Sequence, residues 1–72
     1  MLTKDERYII QKGNLFLVGC PYDDSSAVRL SNYKYDGYQM KSFLTAISIA
    51  KQFGGKVMVL NKLTGDLSGG WK

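Results

Sequence analysis

The stretch Arg7-Tyr8-Ile9-Ile10-Gln11-Lys12-Gly13-Asn14-Leu15-Phe16-Leu17-Val18-Gly19-Cys20 reads as a β-hairpin, and the fold class follows from it. Tyr8, Ile9 and Ile10 are strong strand formers. Gly13-Asn14 supplies a two-residue turn, with glycine where a type II′ turn needs positive φ. That turn sets the register. Lys12 faces Leu15, Gln11 faces Phe16, Ile10 faces Leu17, Ile9 faces Val18 and Tyr8 faces Gly19. An aromatic ring at Tyr8 would cover the gap that a strand glycine leaves. One face of the hairpin is then Tyr8, Ile10, Leu15 and Leu17. The other is Ile9, Phe16, Val18 and Cys20, interrupted by Arg7 and Gln11.

Outward from the hairpin, Pro21 ends the second strand because it has no N–H for a ladder. Asp23-Asp24-Ser25-Ser26 reads as a polar turn. Ala27 to Ser31 predicts a short third strand with Val28 and Leu30 on one side and Arg29 on the other, and 32–37 a loop with Tyr33 and Tyr35. Ser42 suits a helix N-cap. Phe43, Ala46, Ile47, Ala50 and Phe53 fall on one apolar stripe at helical spacing, with Thr45, Ser48 and Gln52 opposite. Met40 shares that stripe, which leaves a start near Asp36 open. Gly54 suits the left-handed position that stops a helix, and Lys51 the negative end of its dipole. Val57-Met58-Val59-Leu60 predicts a buried strand, Thr64-Gly65-Asp66 a turn, and Leu67 one or two more strand residues. The order hairpin, strand, helix, strand implies an α+β fold, a small antiparallel or mixed sheet with one helix packed on one face.

The 72 residues have room for one domain over 1–72, with 1–5 and 68–72 expected to be flexible. A chain of this size buries only about 60% of its unfolded surface. One cysteine, Cys20, allows no intrachain disulfide, and there is no histidine. One thiolate with scattered carboxylates is a poor zinc ligand set, so no metal is expected. A lone thiol fits a reducing cytosol. The apolar runs Leu15 to Val18 and Val57 to Leu60 are far short of a bilayer span, and 1–6 lacks the apolar region of a signal peptide. A cytoplasmic protein is expected.

The net charge is +4. Residues 1–36 balance at five positive and five negative side chains; 37–72 carry Lys41, Lys51, Lys56, Lys62 and Lys72 against Asp66 alone. Spread singly, these lysines read first as solubilising charge and second as a nucleic-acid footprint. No catalytic constellation stands out. Asp23 and Asp24 are explained by turn chemistry, and Cys20 has no histidine to activate it. Gly54-Gly55-Lys56 follows a helix and precedes a strand, the reverse of a phosphate-binding loop. Neither an enzyme activity, a cofactor nor a small-molecule substrate is expected. Tyr33, Lys34, Tyr35, Tyr38 and Lys41 interleave rings with cations and are candidate contacts for single-stranded nucleic acid, set against tyrosines packing over the sheet edge. Trp71 suits either a partner anchor or a ring folded back on the core.

The hairpin, Phe43-Leu44-Thr45-Ala46-Ile47-Ser48-Ile49-Ala50-Lys51, Gly54-Gly55-Lys56-Val57 and Asn61 together resemble small uncharacterised accessory proteins of phages and prophages of Gram-positive bacteria. The resemblance implies no activity; some such proteins block host defence enzymes by binding them. Inhibitors that mimic nucleic acid are usually acidic, whereas this chain is basic. One helix covers one sheet face, so Ile9, Phe16, Val18, Met58 and Leu60 form an expected second apolar face for a protein partner or a homodimer. A non-catalytic, protein-binding role, with host–virus interaction as its setting, is the first expectation. A small basic nucleic-acid-binding protein is the second.

Overall fold

The computed structural model describes residues 2–19 and 29–71. Cys20, the Asp23 to Ser26 turn and residues 27 and 28 of the expected third strand lie outside them. Among the described residues, five strands and one helix follow in the order β1 Glu6–Lys12, β2 Leu15–Val18, β3 Arg29–Ser31, α1 Phe43–Phe53, β4 Lys56–Asn61 and β5 Leu67–Trp71. A 3-10 turn at Lys34–Asp36 lies between β3 and α1. The strands form one antiparallel sheet, ordered β3-β2-β1-β4-β5, with α1 packed over β1 and β4. The α+β architecture is as expected, and the sheet is antiparallel throughout.

The hairpin forms, but it opens after two rungs. Gly13 has φ 63°, and Gln11 pairs Phe16 and Lys12 pairs Leu15. Beyond that the strands part, so the expected Ile10–Leu17, Ile9–Val18 and Tyr8–Gly19 rungs are replaced. Tyr8 pairs with Met40, exchanging hydrogen bonds of 2.8 Å (Tyr8 N–H to Met40 O) and 2.9 Å (Met40 N–H to Tyr8 O). Tyr38 N–H donates to Leu17 O at 2.8 Å. Residues 38–40 therefore sit in the gap and satisfy the backbone groups of both strands, which could not be left unpaired in the interior. Gly19 has φ 95°, a turn away from the strand that only glycine takes readily.

Because Met40 is held in this bridge, α1 starts at Phe43 and not near Asp36. Ser42 is extended and its Oγ accepts Thr45 N–H at 3.4 Å, while Gly54, left-handed at φ 75°, ends the helix. Gly55 N–H reaches Ala50 O at 2.8 Å, closing the last turn. Ala46, Ile49 and Ala50 are the buried helix residues; Ile49 joins the stripe that the spacing had drawn without it.

Two clusters result. On the helix side, Ile10, Leu17, Met40, Ala46, Ile49, Ala50 and Val57 pack with Tyr8, Tyr38, Phe43, Ile47 and Phe53. On the opposite side Ile9, Phe16 and Leu60 pack with Met58 and Leu67. The tail is not a free end: Leu67–Trp71 is a full fifth strand, pairing Leu60–Leu67, Val59–Ser68, Met58–Gly69 and Val57–Trp71, with a bulge before the last rung. The Trp71 ring lies across Gly69, where any Cβ would overlap it, and meets Phe43 edge-on at 5.4 Å. Phe43 meets Tyr8 the same way at 5.5 Å. These rings line the β5 flank of the helix, with Trp71 outermost and exposed. The start of the chain is tied as well, with Lys62 N–H donating to Asp5 O at 2.7 Å.

Since both faces hold core, Ile9→Val and Ile10→Val are expected to destabilise alike, each by roughly 0.5–1.5 kcal/mol. Urea unfolding of the two variants checks this; an Ile9→Val protein as stable as the parent would mean that the second face is solvated.

Candidate functional site

The face expected to be uncovered is largely closed. Ile9 is 0% exposed, Phe16 6% and Leu60 0%; Val18 and Met58 are half-buried. The expectation of a bare second face is therefore corrected. The reason is the path from β3 to the sheet gap. Gly37 passes so close over Ile9 that a Cβ there would stand 3.4 Å from the Ile9 side chain and 3.2 Å from Lys34 O. The 3-10 turn before it is fastened to the β4–β5 turn, where Lys34 Nζ donates to Gly65 O. Ser31 Oγ adds a bond to Asp36 Oδ2 at 3.2 Å and accepts Tyr33 N–H at 3.1 Å. A short loop thus does the covering that a second helix would do in a larger domain.

The same path divides the aromatic and basic set. Tyr33 and Tyr35 stay on the outside of this loop, rings 5.4 Å apart and tilted by 55°. The Lys34 ammonium lies 5.6 Å from the Tyr35 ring centre as well as on Gly65 O, so it is engaged within the fold. Tyr38 packs on the helix-side core. Lys41 borders a separate groove with Leu2, Thr3, Lys4 and Arg7. The five residues do not form one stacking platform.

Leu44 and Leu63 are exposed singly, on the helix and on the β4–β5 turn, whereas on the helix side of β2 and β3 exposed leucines share one face. A helix about 10 Å wide shades about two strands spaced roughly 4.8 Å apart, and α1 takes β1 and β4. Leu17 pairs with Leu30, which places Leu15, Leu17 and Leu30 on one face beside Phe53. Leu17 is buried, but Leu30 is 45% exposed and Leu15 37%. A groove of about 370 Å³ runs here, lined by Lys12, Leu17, Arg29, Leu30 and Phe53. Its floor is apolar and its charged lining is cationic. None of these residues belongs to the sequence-predicted face. The cue was the width of one helix against the number of strands, together with Leu30 on the same side as Leu17.

Chemistry elsewhere is sparse among the described residues. No three histidine, cysteine or carboxylate side chains converge on a metal-sized site, and no buried side-chain nitrogen or oxygen lacks a partner. Glu6 has a clear pKa shift: its carboxylate accepts Thr3 N–H at 2.9 Å, which holds it below the ordinary glutamate range. No family model, curated protein or solved structure matches this chain.

A carboxylate held low contributes stability above its unfolded pKa and loses it as pH falls through the folded value. The turn at 3–6 is thus expected to loosen in acid, below the ordinary range of a glutamate. The protection of the Thr3 amide relative to its intrinsic exchange rate, followed across pH, checks this, and Glu6→Gln should remove the loss of protection in acid.

Proposed function

We propose that this chain is a non-catalytic interaction protein that binds a protein partner or a second copy of itself through the helix-side surface of β2 and β3. The observation that carries the reading is the exposure of Leu30 and Leu15 beside Leu17 and Phe53, an apolar strip that the single helix leaves bare. Water-facing leucines side by side on a sheet flank favour burial against another surface, at roughly 25 cal/mol per Å² of apolar area removed from water. Lys12 and Arg29 at its border would set orientation and add charge complementarity. The resemblance to small phage and prophage proteins suggests host-cell proteins, defence enzymes included, as the partner class and the host cytoplasm as the setting. No helix among the described residues is long and apolar enough to cross a membrane.

Leu30→Asp tests the reading, since Leu30 sits exposed on an edge strand and its replacement should leave the fold intact. Light scattering across a concentration series, and retention of proteins from a bacterial lysate, are compared for parent and variant with matching circular dichroism. The parent is expected to self-associate or to retain a protein that Leu30→Asp does not. A strictly monomeric parent that retains the same proteins as the variant would defeat the proposal.

A further inference from the structure

A second groove, of about 380 Å³, lies at the far end of β1, lined by Leu2, Thr3, Lys4, Arg7 and Lys41. Among the described residues, three cations border it and no carboxylate does. They come from the chain start, from β1 and from the segment entering the helix, so only folding brings them together. The Tyr8–Met40 bridge is antiparallel, which sets Arg7 and Lys41 opposite each other one step beyond it. Cations lining one groove repel one another unless an anion sits between them. Asp5 and Glu6 lie between Lys4 and Arg7 in sequence but neither lines the groove; the Glu6 carboxylate, ionised, is on the Thr3 N–H.

Arg7 is also held in position. Its Nη1 donates to Lys4 O at 2.9 Å and to Glu6 O at 2.6 Å, which orients the guanidinium while leaving its other N–H donors for a ligand. A fixed guanidinium with two flexible ammonium groups suits a multiply charged anion with several acceptor oxygens. We propose that the groove bordered by Lys4, Arg7 and Lys41 binds a phosphate group. Bound there, the anion would relieve the Arg7–Lys41 repulsion and clamp the chain start to the segment entering α1. This assignment is independent of the β2–β3 surface and takes only Lys41 from the aromatic and basic set.

Calorimetric titration with inorganic pyrophosphate, and with a short single-stranded oligonucleotide, tests the site. Lys41 is exposed, so Lys41→Gln should fold; without phosphate it should be at least as stable as the parent, because a like-charge pair is gone. Pyrophosphate is expected to raise the melting temperature of the parent at constant ionic strength, with Lys41→Gln binding roughly tenfold more weakly. An oligonucleotide that binds far more tightly than pyrophosphate, with an affinity that falls steeply with salt, would identify a nucleic-acid backbone as the source of the phosphate. Comparable affinities would identify a free phosphate compound. Equal responses of parent and variant, or an equal response of the parent to acetate at the same ionic strength, would overturn the assignment.

Discussion

The two hydrogen bonds exchanged between Tyr8 and Met40 hold the layers of this molecule in their places. Without them β1 would face an open gap, because β2 leaves it after Lys12–Leu15 and Gln11–Phe16. A strand edge facing a core is costly, since each unpaired N–H or C=O loses its bond to water without a replacement. Residues 38–40 fill that edge, and in doing so they carry the chain from one side of the sheet to the other. Gly37 lies against Ile9 on one side; three residues later Met40 is buried with Ile10 and Ala46 on the other.

One short segment therefore closes two faces. The loop before it covers Ile9, and the helix after it covers Ile10 and Val57. This matters in a chain so small, where the surface is large relative to the core and neither face could hold the fold alone. The glycines mark the tight points. At Gly55 a Cβ would come within 2.8 Å of Ile10 Cγ2 and 2.9 Å of Gln11 O, so the close return of the helix onto β4 needs the missing side chain. Gly69 does the same for the Trp71 ring, which lies along the β5 flank.

Local signals were readable wherever they decided local structure. Gly13 made the turn, Ser42 and Gly54 bounded the helix, and Val57 to Leu60 gave the buried strand. What escaped was set by contacts between distant residues. The register beyond Gln11–Phe16 depends on a segment 32 residues after Tyr8, and no periodicity in the hairpin carries that information. Counting apolar residues on each face found the second core correctly but took it for a free surface, because a loop of polar composition hid its role as a cover. Trp71 read as a partner anchor or as a ring folded back on the core; its ring does fold back edge-on onto Phe43, yet it stays 44% exposed.

Closing both faces moves the search for function to the flanks. The helix packs over β1 and β4 and leaves both flanks partly open. An aromatic series ending in the 44% exposed Trp71 lies on the β5 side, and leucines at 15 and 30 face water on the β2–β3 side. Charge follows the same logic. By sequence, the first half of the chain is neutral and the second half holds the excess. By structure, Lys4 and Arg7 from the neutral half meet Lys41 from the basic half, while Lys34 is spent on Gly65 O. The local field that a ligand meets is thus created by the crossing at Tyr8 and Met40, the same contact that closes the two cores. Covering apolar surface and gathering positive charge are two results of one chain path.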